Sequence, residues 1–150
     1  MGATVNLVTK SYDSGDGHGF IFGNVLTEND YDWGSGAPGS LLRKIVSTYM
    51  WQSNNSPYLA SSLVDLLATV VTQDGSGNKV AETDYAYDEF PLQSSNVTTG
   101  VTAPYGSVRG NLTTTSRWLN TGGAVVTHNY WYDTGMKYQY FDGDAVAVAS

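Results

Sequence analysis

The chain contains no cysteine in its 150 residues, which leaves it without a disulfide framework or a thiolate metal site. Basic residues are scarce as well: seven Lys and Arg, spread from Lys10 to Lys137, against fourteen Asp and Glu. Neutralising phosphates takes clustered cations, so a net charge of −7 argues against nucleic acid as a partner. Long apolar runs are missing too. The longest, Leu59 to Val71, is broken by Ser61, Ser62, Asp65 and Thr69, far short of the ~20 apolar residues that span a bilayer. No membrane insertion is expected. The opening Met1-Gly-Ala-Thr-Val-Asn-Leu has neither a basic nor a long apolar stretch, so any export is expected to be directed from outside this chain.

What the chain has in quantity is aromatic and turn-forming residues. Eleven Tyr, four Trp and four Phe make it 13% aromatic, while charged residues reach only 14%. Disorder needs the reverse balance. Many aromatics set among Gly, Thr, Ser and Asn favour β-structure. The expected fold is all-β: antiparallel hairpin repeats in a curved or spiralling sheet. No composition shift marks a boundary, so residues 1–150 read as a single β region, or as a segment of a longer repeat array.

Period-2 patterning beside turn residues places the hairpins. Leu67-Ala-Thr-Val-Val-Thr leads into Gln73-Asp-Gly-Ser-Gly-Asn, and Lys79-Val-Ala-Glu-Thr-Asp-Tyr-Ala-Tyr leads out. Asp74-Gly75 and Gly77-Asn78 supply the positive-φ positions of a tight turn. Val80, Glu82, Asp84 and Ala86 alternate with Ala81, Thr83, Tyr85 and Tyr87, so a tyrosine face is expected inward and an acidic face outward. A second hairpin is expected between Asn111 and Asp133, turning at Gly122-Gly123. A third pairs Leu41 to Trp51 with Tyr58 to Val71 across the polar loop Gln52-Ser-Asn-Asn-Ser-Pro. Within it Leu59, Leu63, Leu66 and Leu67 also have the spacing of a short helix. Gly34-Ser-Gly-Ala-Pro-Gly and the stretch from Ser94 to Gly106 read as loops.

A dipeptide recurs along this pattern. Tyr-Asp stands at Tyr12-Asp13, Tyr31-Asp32, Tyr87-Asp88 and Tyr132-Asp133, with Phe141-Asp142 as a variant. Gly-Asn before an apolar residue recurs as Gly23-Asn24-Val25 and Gly110-Asn111-Leu112, and Gly77-Asn78-Lys79-Val80 is related. The physical expectation is a strand ending on a buried Tyr, with the Asp accepting hydrogen bonds from free turn amides and Gly or Asn supplying positive φ.

These residues resemble the YD repeats of RHS-type proteins, in which Tyr-Asp is followed by a spacer, a Gly, and then Leu or Val with threonines. Tyr87-Asp88, Tyr132-Asp133 and Gly110-Asn111-Leu112-Thr113-Thr114-Thr115 match best, and the resemblance covers roughly residues 27 to 144. The Tyr-Asp spacings of 19, 56 and 45 residues are uneven, as in degenerate repeats. The resemblance implies a spiral of β-hairpins that, in complete bacterial members, closes into a hollow shell. Such shells are secreted or surface-associated, enclose toxins, and take part in cell contact and carbohydrate binding. For this chain it implies a non-catalytic structural or interaction module without a cofactor. Its partners would be neighbouring repeats, or further copies joined through sheet edges, and glycans.

Candidates for chemistry are weaker than this repeat. Asp13, Asp16 and His18 lie in one glycine loop, yet the calcium-loop spacing is absent, and a solvated turn is the expected role. His128, with Asp133 or Asp144 and any hydroxyl, supplies only the ingredients of a triad, and no Gly-x-Ser-x-Gly elbow is present. A cross-strand partner is expected for His128 instead. Asp84, Asp88 and Glu89 read as a strand edge and turn rather than a paired-carboxylate site. Neither Gly75-Ser-Gly-Asn nor Gly34-Ser-Gly-Ala-Pro-Gly ends in the Gly-Lys-Ser/Thr of a phosphate loop. No metal site is expected. The aromatics are the better binding candidates: Trp118, Trp131 and Tyr130 are residues on which a sugar ring would stack, unless they serve as cross-strand pairs.

Overall fold

The computed structural model describes residues 3–17, 19–53, 56–99 and 108–142. They form one open sheet of eight strands in chain order: β1 Thr4–Tyr12, β2 Val25–Ser35, β3 Leu41–Tyr49, β4 Leu67–Asp74, β5 Lys79–Tyr87, β6 Leu112–Trp118, β7 Ala124–Trp131 and β8 Lys137–Phe141. Every neighbouring pair is antiparallel. The all-β hairpin architecture expected from the sequence is therefore present.

Turn chemistry accounts for three of the connections. Gly77 donates to Asp74 O, Gly122 to Leu119 O and Gly135 to Tyr132 O, while Asp74, Leu119 and Tyr132 donate to Asn78, Gly123 and Met136 carbonyls. Each is a three-residue hairpin loop with a left-handed glycine, at φ 86°, 100° and 83° respectively. The hairpins expected around Asp74–Asn78 and Gly122-Gly123 are thus confirmed. The third is corrected. β3 pairs with β4 only from Tyr49↔Leu67 to Arg43↔Asp74, and residues 59 to 66 lie outside the sheet. Nor do they form a short helix running from Leu59 to Leu67: α1 is a single turn, Pro57–Ala60, preceded by a 3-10 turn over Met50–Gln52. Pro57 at the first helical position starts the turn, and Ser62 at φ 60° ends it. The Gly34–Gly39 stretch is also less of a loop than expected, since Gly34 and Ser35 extend β2 and pair with Val5 and Thr4.

The inside-outside alternation expected for β5 is absent; from Glu82 to Tyr87 every residue is half-buried. A sheet shows clean alternation when one face packs on a second layer. Here the only large apolar side chains buried among the described residues are Trp51 and Tyr58, each 7% exposed. Both lie in the β3–β4 connection. On β6 and β7 the polar Thr113, Thr115, Thr127 and Asn129 are buried more deeply than their aromatic neighbours.

Cross-strand pairs hold the sheet where a core does not. Lys10 faces Glu28 across β1–β2 with Nζ 2.8 Å from Oε2, and Asp30 faces Arg43 across β2–β3 at 2.6 Å. The sequence gives β2 no apolar period because its ladder is built on such polar pairs. Lys79 bonds Glu82 and lies 4.4 Å over the Trp118 ring.

Candidate functional site

One end of the sheet collects the repeated residues. In a meander the odd strands finish at the same end, so Tyr12-Asp13, Tyr87-Asp88 and Tyr132-Asp133 gather there, while Tyr31-Asp32 goes to the opposite end.

The first two units build the same structure. Asp13 donates its backbone amide to Asn24 O at 2.9 Å; its carboxylate accepts from Gly15 at 2.9 Å, Phe22 at 3.1 Å and Asn24 at 2.5 Å. Asp88 donates its amide to Asn111 O at 2.9 Å and accepts from Arg109 at 3.1 Å, Gly110 at 2.7 Å and Asn111 at 3.0 Å. Both glycines that precede the asparagines are left-handed, Gly23 at φ 81° and Gly110 at φ 76°. A register shift follows in each ladder, before Tyr12↔Val25 and before Tyr87↔Leu112. We call this arrangement a clasp: one aspartate closes a loop by binding the amides that return to the sheet, here across two loops of different length. Asp74 makes a compact version, taking the amides of Ser76 and Asn78 and the Asn78 side chain, each at 2.9 Å.

Charge and backbone donors complement each other in these clasps. Burial alone would raise the Asp13 carboxyl, but the amides of Phe22, Asn24, Gly15 and Gly23 outweigh it and hold it below the usual carboxylate range. The Asn78 side chain, with the Asn78 backbone amide, holds Asp74 down in the same way.

The other two units differ. Asp32 donates its amide to Ser40 O at 2.9 Å, but among the described residues its carboxylate reaches only the adjacent Trp33 amide, at 2.7 Å. Asp133 accepts the Ser95 amide at 3.0 Å, a contact across to the β5–β6 connection. Ser95, chiefly through its side chain, keeps the Asp133 carboxyl low. This contact, the Gln93 bonds to Trp131 O and Asp133 N, and the Arg109 bond to Asp133 O at 2.7 Å fix the described part of the β5–β6 connection to the start of the β7–β8 hairpin. The expectation of a buried tyrosine holds only in part: Tyr31, Tyr87 and Tyr132 are half-buried, whereas Tyr12 is 56% exposed. Tyr12 ends β1, which among the described residues has a neighbouring strand on one side only.

The two buried aromatics tie the clasps to the β3–β4 connection. Trp51 donates Nε1 to Asn24 Oδ1 at 3.0 Å and meets Phe22 edge-on at 4.8 Å. Tyr58 donates its hydroxyl to Tyr87 O at 2.9 Å, 6.1 Å ring to ring from Tyr87. Burial, then the Asp88 and Glu89 charges, push the Tyr58 phenol up to about 12; burial does the same for Tyr87. Sequence reasoning missed this role for Trp51 and Tyr58, because nothing in a local pattern links them to loops so distant in the chain.

The three aromatics singled out as sugar platforms go to separate places. Trp118 lies under Lys79. Tyr130 stacks on Phe90 at 4.7 Å. Trp131 donates Nε1 to Leu112 O at 2.9 Å and lines a cavity of about 250 Å³ with Asp88, Phe90, Pro91, Leu92, Arg109, Asn111 and Thr113 among its walls.

The remaining polar candidates are engaged in the sheet. His128 has its cross-strand partner, Thr114, 3.0 Å from Nδ1. Glu89 takes the Thr113 and Thr114 hydroxyls at 2.8 and 2.5 Å, and Asp84 takes Thr69 at 2.9 Å. His18 and Asp144 lie outside the described residues. Among the described residues no group of three or more His, Asp and Glu is placed to hold a metal ion, and no helix is long and apolar enough to cross a membrane. No protein-family model, no curated protein and no solved structure matches the chain.

Proposed function

We propose that this chain is a non-catalytic structural and interaction module of the RHS/YD-repeat type, forming part of a secreted or cell-surface β-shell. The observation that carries the reading is the clasp made twice over, Asp13 with Gly23-Asn24 and Asp88 with Gly110-Asn111, at strand ends of one single-layer sheet. A clasp tolerates loops of different length, so hairpins are added in sequence without a fixed period. A sheet normally buries a face against a second layer. This one leaves Leu7, Val8, Trp33, Leu42, Val80 and Tyr140 exposed, which suits a wall continued or covered by further hairpins. The cysteine-free chain offers a direct test. Ser76→Cys in the exposed β4–β5 turn, in cells that produce the protein, is expected to react with a membrane-impermeant maleimide before lysis. Labelling only after lysis overturns the placement.

A second reading is favoured by the Trp131 cavity: a carbohydrate-binding module, with apolar walls for a sugar face and polar groups for its hydroxyls. Retention on a glycan affinity gel, lost on Trp131→Ala and retained on Trp118→Ala, is the outcome expected of that cavity.

A further inference from the structure

The two halves of the sheet, β1–β4 and β5–β8, repeat one set of contacts. Tyr12 pairs with Val25 and Tyr87 with Leu112, each after a register shift that skips one residue, Leu26 or Thr113. The last paired residue of the third strand then donates to the same carbonyl in both halves. Tyr49 Oη reaches Val25 O at 3.1 Å, and Trp131 Nε1 reaches Leu112 O at 2.9 Å. β1 and β5 are both nine residues long, so Thr4–Tyr12 corresponds to Lys79–Tyr87 position by position.

The halves differ in what covers their clasps. The second clasp is covered by the first half, through the β3–β4 connection. Tyr58 donates its hydroxyl to Tyr87 O, and Leu63 and Leu66 pack against Gly110. Beside them Val70 and Val71 of β4 face Thr83 and Glu82 of β5. Among the described residues nothing equivalent covers the first clasp. Tyr12 is 56% exposed, and an added Cβ at Gly23 meets nothing within 4 Å. Leu7 and Val8, which stand where β5 has Glu82 and Thr83, are 40% and 53% exposed. An edge that stays open is normally blunted by charge or proline. β1 instead presents apolar side chains there, and its one cation, Lys10, is engaged by Glu28.

We propose that the first clasp and the β1 edge form a docking surface for a partner unit of the β1–β4 kind. Its connection carries a tyrosine followed five and eight residues later by leucines, as Tyr58, Leu63 and Leu66 are spaced here. The tyrosine hydroxyl donates to Tyr12 O, and the leucines close over Gly23. A strand like β4 pairs with β1 and sets its two valines opposite Leu7 and Val8. A second copy that offers its β8 edge brings only the three-residue β7–β8 loop, which has no counterpart of those three side chains. The proposal rests on the structural-module reading above and fixes the direction in which the module extends.

The test is the full chain preceded by a second copy of residues 41–78, joined from Asn78 to Thr4. That junction reproduces ahead of β1 the tight turn that precedes Lys79, and the tether supplies an effective concentration of about 1 mM or more. In nitrogen-15 NMR the Val8, Tyr12 and Gly23 amide signals should move, while those of Gly110 and Asn111 stay. Gly23→Ala should lower the urea midpoint further in the extended chain than in the parent, because the leucines now crowd the added Cβ. A free peptide of residues 56–67, added to the parent chain, should move the Tyr12 and Gly23 signals at about 1 mM. The same peptide with Tyr58→Phe should bind about fivefold more weakly, the worth of one hydrogen bond. Tyr12 and Gly23 signals that stay put with both extension and peptide overturn the docking surface. They leave the module reading standing, since maleimide labelling decides that separately. Movement along β1 without Tyr12 or Gly23 means strand pairing alone and overturns the part given to the clasp. A Gly23 signal that moves with concentration in the parent chain assigns the surface to a second copy and overturns the occupant.

Discussion

Asp88 and Asn111 lie twenty-three residues apart and bind each other in both directions, the Asp88 amide to Asn111 O at 2.9 Å and the Asn111 amide to the Asp88 carboxylate at 3.0 Å. Asp13 and Asn24 repeat the exchange eleven residues apart, and Asp74 and Asn78 four apart. Entropy rises only slowly with loop length, about 0.6 kcal/mol per doubling, so one end-to-end fastening serves all three.

The glycines before the asparagines should respond unequally to alanine. At Gly23 an added Cβ meets nothing within 4 Å, so Gly23→Ala should cost only the left-handed backbone penalty, about 1–2 kcal/mol. At Gly110 the same atom stands 3.0 Å from Leu66 Cδ1 and 3.3 Å from Leu63 Cδ1, so Gly110→Ala adds crowding to that penalty. Urea unfolding should place Gly110→Ala below Gly23→Ala in stability. The reverse order would remove the packing of residues 63–66 under the second clasp.

Acid should weaken the sheet through its clasps. Asp13, Asp74 and Asp133 are held below the usual carboxylate range, so the unfolded chain takes up protons first as pH falls. Their stabilisation is complete above the ordinary Asp value of about 3.9 and is lost as pH drops through it toward the lower folded values. Thermal melts between pH 6 and 2 should show a falling midpoint. Asp74→Asn should reduce the slope.

Alkali should act through two tyrosines. Tyr58 and Tyr87 are pushed up to about 12, so the folded chain keeps protons that the unfolded chain releases near 10. That contribution is present below about pH 10 and is lost as pH rises toward 12. Ultraviolet titration of tyrosinate should show a late-ionising component that shrinks in Tyr58→Phe.

How much of this was legible in the chain depends on how local each signal is. The β4–β5 and β6–β7 hairpins were readable because Asp74-Gly75, Gly77-Asn78 and Gly122-Gly123 encode their own turns. β1 and β2 were not given bounds from sequence, because the polar ladder Lys10–Glu28 and Asp30–Arg43 shows no apolar period. Tyr-Asp was legible as a repeat, but its chemistry lies in the aspartate and its distant Gly-Asn partner. Tyr31-Asp32 and Tyr132-Asp133 have the dipeptide without such a partner and form other contacts.

The outer strands should drive association. β1 and β8 each have one free edge among the described residues and carry exposed Val8 and Tyr140. Light scattering should rise with protein concentration and fall in a Val8→Lys, Tyr140→Lys double variant. A monodisperse wild-type chain at every concentration would contradict edge pairing.

The clasp itself is tested most directly by native-state hydrogen exchange on Asp88→Asn. Asparagine tolerates the left-handed backbone of Asp88, at φ 56°, so the change isolates the carboxylate. The Arg109, Gly110 and Asn111 amides lose their charged acceptor, worth about 1.5–3 kcal/mol, or roughly tenfold or more in local opening. Faster exchange concentrated at these amides and the adjoining β5–β6 ladder, with β1–β2 unchanged, is the predicted result. Exchange at Arg109, Gly110 and Asn111 equal to that of the wild-type chain would contradict the clasp.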